Sequence, residues 1–126
     1  MIQTALKTVS IDHVVLYTRD LPRARRFYLD VLGMEVAHEN DHQCFMRCGA
    51  QQVALFTADT EIHGGSEVNH MALRLQSGTY EEVKSRLEAE GIAVHGRPGD
   101  PNCIYFDDPD GHGLQLALPR EGRAPR

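Results

Sequence analysis

Two histidines of the 126-residue chain recur in the same local setting. Ile11-Asp12-His13-Val14-Val15-Leu16 and Val68-Asn69-His70-Met71-Ala72-Leu73 each run apolar, Asx, His and three apolar residues, at an offset of 57. Neutral imidazole is the commonest protein ligand for a metal ion. A single His within a strand pattern is usually a packing residue, but two at equivalent positions of an internal repeat point to a shared task. Strand alternation supplies a third donor of the same parity, Gln115 in Leu114-Gln115-Leu116. His13, His70 and Gln115 are therefore the candidate metal ligands. Three protein donors would leave coordination positions open for a substrate.

The elements that must carry these residues follow from the repeat. Leu32-Gly33-Met34-Glu35-Val36 answers Glu90-Gly91-Ile92-Ala93-Val94 at an offset of 58, each placing a Gly where a helix stops and a strand begins. Before the first landmark, Asp20 reads as an N-cap, Pro22 sits in the opening turn, and Ala24, Phe27, Tyr28, Val31 and Leu32 recur at helical spacing. In the second half Ser77 or Thr79 caps a helix through Tyr80, Val83 and Leu87. Strands are expected at residues 43–48 and 52–57, then at 102–106 and 113–118, with turn residues between them. The order in each half is strand, helix, strand, strand, strand. This predicts an α+β domain spanning residues 1–126, built of two βαβββ modules at about 9–58 and 67–118. Residues 58–67, with Gly64 and Gly65, read as the link, and 119–126 as a flexible tail.

Alternation then sorts the side chains into two sets. Val14, Leu16, Met71, Leu73, Leu75, Leu114, Leu116 and Leu118 form a dry face that packs under helices. His13, Val15, Tyr17, His70, Ala72, Arg74, Gln115 and Ala117 lie on the other. Ala54 and Phe56 share that second face, and Phe45 and Arg47 fit it better than Cys44 and Met46. Tyr17, Phe45, Arg47, Phe56 and Arg74 are thus the expected substrate-pocket residues, joined by Tyr105; Arg74 is suited to a carboxylate or phosphate and equally to an exposed sheet edge. Tyr105, on a central strand, is the candidate catalytic residue, and Cys103 is a second candidate base. His112 has the wrong parity to join Gln115 and reads as part of the turn Asp108-Pro109-Asp110-Gly111. His38, His42, His63 and His95 are expected on the surface.

Composition narrows the partners. Thirteen Lys and Arg against 18 Asp and Glu give a net charge of −5, which offers no basic surplus for nucleic acid or an anionic membrane. No stretch approaches the roughly 20 apolar residues of a spanning helix, and residues 1–10 lack the apolar core of a secretory signal. A cytoplasmic protein with a small-molecule partner is expected. Cys44, Cys48 and Cys103 fit reduced, buried thiols, since Cys44 and Cys48 would stand about 13 Å apart along one strand.

These segments resemble the vicinal oxygen chelate superfamily, which includes glyoxalase I, extradiol dioxygenases, fosfomycin resistance enzymes and bleomycin resistance proteins. The likeness runs from about Ile11 to Leu118 and rests on Ile11-Asp12-His13-Val14, the helix end Phe27-Tyr28-Leu29-Asp30-Val31-Leu32-Gly33-Met34, Asn69-His70-Met71-Ala72-Leu73, and Asp108-Pro109-Asp110-Gly111-His112-Gly113-Leu114-Gln115-Leu116. The resemblance implies two modules forming a half-open cup around a divalent cation (Mn, Fe, Ni, Co or Zn) that chelates neighbouring substrate oxygens. It carries the ligand roles to His13, His70 and Gln115, and implies a homodimer whose cups are built from the modules of one chain or of two. Ala54 occupies the remaining ligand position and cannot bind a metal. Gln115 stands where three-ligand relatives carry a glutamate, so the site is more positive and holds its cation less strongly. A dioxygenase or a glyoxalase I would need a carboxylate there. Against the fosfomycin enzymes, Tyr105 matches a substrate-contacting tyrosine, but Val15, Gly99 and Cys103 stand where hydroxyl side chains are expected. The function implied is a metal-dependent lyase, isomerase, dioxygenase or thiol-transfer enzyme. The alternative is a metal-free drug or metabolite binding protein of the bleomycin resistance type.

Overall fold

The first apolar run pairs as its alternation requires. In a computed structural model, which describes residues 6–58 and 68–119, β1 (His13–Thr18) alternates exposed and covered side chains along its length. The chain divides into two compact units, residues 1–60 and 61–126. The expected tail beyond Pro119, most of the link and His63 lie outside the described residues.

In unit 1, β1 leads to α1 (Leu21–Arg26), β2 (Glu35–Glu39), β3 (Gln43–Cys48) and β4 (Gln51–Thr57). The sheet order is β1-β4-β3-β2, with β1 parallel to β4 and the other pairs antiparallel. The Asp20 carboxylate accepts the Arg23 backbone N–H at 3.1 Å, capping α1 ahead of Pro22. The helix does not stay α-helical to its end: Phe27–Val31 continues α1 as a π-helical turn. Leu32 N–H donates to Phe27 O five residues back, at 3.1 Å. The wider turn still buries Phe27 and Tyr28 with Ala24. α1 packs against β3 and β4, where Cys44, Met46, Val53 and Leu55 are likewise buried.

Unit 2 repeats the order: β5 (Met71–Arg74), α2 (Tyr80–Ala89), β6 (His95–Arg97), β7 (Asp100–Asp107) and β8 (Gly113–Ala117), in sheet order β5-β8-β7-β6. Thr79, not Ser77, caps α2, in a capping box with Glu82. Leu87 packs against β7, where Ile104 and Phe106 share the dry face with Leu114 and Leu116 of β8. Gly33 and Gly91 leave the two helices at φ +73° and +76°, a conformation that costs a side-chain-bearing residue energy. β6 starts at His95 rather than Ile92 because the Ile92 N–H is spent on Leu87 O, closing α2 at 3.1 Å. The protein is thus an α+β chain of two βαβββ modules. Its three cysteines are free, Cys44 and Cys103 buried and Cys48 half-buried. Among the described residues no helix is long and apolar enough to cross a membrane.

Candidate metal centre

In unit 1 the register puts His13 beside Gln52, Val15 beside Ala54 and Tyr17 beside Phe56. Across β3 and β4, Phe45 faces Ala54 and Arg47 faces Gln52. Alternation from these pairs places His13, Tyr17, Phe45, Arg47 and Phe56 on one face, as expected. Ala54 is fully buried and brings no donor. The Phe45 ring meets His13 and Phe56 edge-on, at 5.6 and 5.7 Å between centroids, and stacks on His38 at 4.4 Å. Arg47 gives one guanidinium N–H to Val36 O at 3.1 Å, which ties it to its own sheet.

Unit 2 builds the matching face. Ala72 lies beside Gln115 and Arg74 beside Ala117, while Tyr105 faces Gln115 and Cys103 faces Ala117. His70 immediately precedes β5 and meets the Tyr105 ring edge-on at 5.6 Å, while His95 stacks on Tyr105 at 5.4 Å. His70, Gln115, Tyr105 and Arg74 thus share a face within unit 2. Burial pushes the Cys103 thiol above its ordinary pKa, and the Asp100 carboxylate reinforces this, so the thiol stays protonated at neutral pH.

Both histidines are held in the same tautomer. His13 Nδ1 lies 2.8 Å from Asp12 Oδ2 and His70 Nδ1 lies 2.8 Å from Asn69 Oδ1. A carboxylate or amide oxygen only accepts, so Nδ1 carries the hydrogen and each Nε2 keeps its lone pair. An outer-shell acceptor on the second ring nitrogen is the usual accompaniment of a metal-binding imidazole. In unit 2 the His70 Nε2 and the amide oxygen of Gln115 are donors of a kind that a divalent cation takes, and in unit 1 the His13 Nε2 is another. No group of three or more His, Cys, Asp or Glu side chains that could hold a metal stands together among the described residues.

The sequence model of the Glyoxalase/Bleomycin resistance protein/Dioxygenase superfamily matches residues 10–116. The chain belongs to that superfamily. It is 29% identical over 114 residues to metallothiol transferase FosB of Staphylococcus saprophyticus, covering 85% of this chain and 75% of that one. Among solved structures, lactoylglutathione lyase from Agrobacterium tumefaciens superposes with a TM-score of 0.70 at 27% identity, over 88% of this chain and 94% of that one. A variant of fosfomycin resistance protein FosX from Listeria monocytogenes, solved with Mn(II) and a dihydroxypropylphosphonic acid, gives 0.76 at 21% identity, over 91% and 96%.

Within this superfamily chain, three features escaped the sequence reading. His38 and His95 are exposed, as expected, yet each stacks on the aromatic ring that touches the candidate metal-binding histidine of its own module. Their common offset of 57 was the available signal. Gln52 stands beside His13, at a parity already used to place Ala54 and Phe56. The Asx of the repeat fixes the histidine tautomer. His112 behaves as anticipated, bonded into the turn through Asp108.

Gly113 is constrained by the site itself. A Cβ there would sit 2.5 Å from Asn69 O and 3.4 Å from His70 Cβ. Gly113→Ala must therefore displace the backbone that carries Asn69 and His70. We expect a loss of about 1–3 kcal/mol in chemical denaturation. An unchanged denaturation midpoint would show that this approach is not tight.

Proposed function

We propose that the chain is a metal-dependent enzyme acting on a small molecule with two neighbouring oxygens, in which His13, His70 and Gln115 hold the cation. The observation that supports it most directly is the repeated Asx-His pair, each imidazole fixed with Nε2 available. When bound, a divalent cation supplies Lewis acidity to the negative charge that develops on a substrate oxygen in isomerisation, elimination, thiol transfer or oxidative ring opening. The chain's own groups do the rest. The Tyr105 hydroxyl, on the strand facing Gln115, is the candidate proton carrier. Tyr17, Phe45 and Phe56 give an apolar wall that orients the substrate and excludes water. Arg74, which has no ion-pair partner among the described residues, receives an anionic substituent. The same reading expects a homodimer, with His13 from one copy and His70 and Gln115 from the other; a stable monomer in sedimentation at micromolar concentration removes that arrangement.

The deciding experiment is elemental analysis of untagged protein, then calorimetric titration of the apo form with Mn, Fe, Co, Ni and Zn. One tight site per chain supports the enzyme reading and directs substrate screening to vicinal diols, oxoacids and thiol adducts. Absence of binding favours the second reading, a metal-free binding protein that sequesters a drug or metabolite. Buried Ala54 and uncharged Gln115 are the observations on that side.

A further inference from the structure

A glutamate presents two equivalent oxygens to a cation, whereas a glutamine presents one oxygen and one N–H₂ that repels it. Gln115 can serve as a ligand only if its amide is held the right way round. Its Nε2 donates to Cys103 Sγ at 3.1 Å, and the Cys103 thiol donates to Asp100 Oδ2 at 3.3 Å. Asp100 is anchored in turn, its Oδ1 accepting the Asn102 backbone N–H at 2.9 Å. This relay runs in one direction. The carboxylate accepts, so the thiol spends its single hydrogen on Asp100 and offers sulfur lone pairs to the amide. Turning the amide over would set Oε1 against a sulfur with no hydrogen left to give. Cys103 faces Ala117 across the ladder, whose methyl leaves room for the Gln115 side chain to reach the sulfur diagonally.

We propose that Cys103 is a positioning residue that orients the Gln115 amide so that Oε1, not Nε2, is presented to a divalent cation. This rests on the reading of Gln115 as a metal donor. It gives a chain that lacks the carboxylate a way to keep an oxygen ligand at this position. It also assigns work to a buried thiol that core packing alone would explain.

The test is a double-mutant cycle read by Mn(II) titration of the apo proteins, with thermal melts of the same samples. Cys103→Ala should weaken Mn(II) binding by about 10- to 100-fold, the usual cost of losing an outer-shell partner. Cys103→Ser, which can accept and donate as the thiol does, should recover most of that loss. In a Gln115→Glu background Cys103→Ala should cost nothing in affinity, because a carboxylate needs no orienting. A packing role alone would lower the melting temperature equally in both backgrounds without this difference in affinity. If wild type binds Mn(II) and Cys103→Ala binds it equally well, the assignment of Cys103 is wrong and the metal reading stands. If wild type binds no metal, the metal reading fails and takes the assignment with it.

Discussion

Alanine in place of His70 should cut divalent-metal affinity by roughly 10²–10³-fold while leaving the apo fold intact. A structural zinc site worth about 10–16 kcal/mol over four ligands sets about 2.5–4 kcal/mol per ligand, which is that range in affinity. The fold should tolerate the change because Asn69 and His70 are exposed and precede β5, so neither belongs to the core. Asn69→Ala should produce a smaller loss of about 10-fold or more, by freeing Nδ1 and letting the ring sample the wrong tautomer. The two variants therefore form a graded series in titration, with apo melting temperatures close to wild type. Equal affinities for wild type and His70→Ala would remove His70 from the site. Equal losses in both variants would instead point to a displaced segment rather than a lost ligand.

The sequence showed which face each strand residue lies on, because alternation needs only the period of a strand and the identity of the dry face. His13, Tyr17, Arg74 and Gln115 were placed that way. Which residues touch across strands depends on register, and periodicity does not carry register. His38 illustrates the difference. The pairing shifts between Val36, opposite Met46, and His38, opposite Phe45. Without that bulge His38 would have the parity of Val36 and point to the core side; with it, the ring stacks on Phe45. The diagonal bond from Gln115 to Cys103 is hidden for the same reason, since it joins residues two register positions apart. The π turn after α1 had no sequence signal either, because Phe27, Tyr28 and Val31 fit an apolar stripe at α-helical spacing equally well.

Asp108→Ala is the substitution with the largest expected cost in stability, about 3–5 kcal/mol. Asp108 has a fully buried side chain inside the turn that feeds β8. Its Oδ1 accepts the backbone N–H of Asp110 and of His112, both at 2.9 Å, and its Oδ2 accepts from His112 Nδ1 at 2.7 Å. Alanine would orphan two backbone donors and one ring donor at once. Asp108→Asn would keep one acceptor oxygen and so should cost less, about 1–2 kcal/mol. The pair also makes stability pH-dependent. The bond to Asp108 raises the His112 pKa above its ordinary 6.5, burial opposes this, and the Asp108 and Asp110 charges add to the rise. A raised folded-state pKa means that protonated His112 stabilises the fold fully below pH 6.5, and that this contribution fades as pH climbs through the folded value. Urea midpoints measured across that window should fall for wild type and stay flatter for His112→Gln. Parallel curves would deny the pair its role. Because β8 begins at Gly113, loosening this turn also loosens Gln115, so Asp108→Ala should lose metal affinity along with stability, whereas Cys103→Ala should lose chiefly the former.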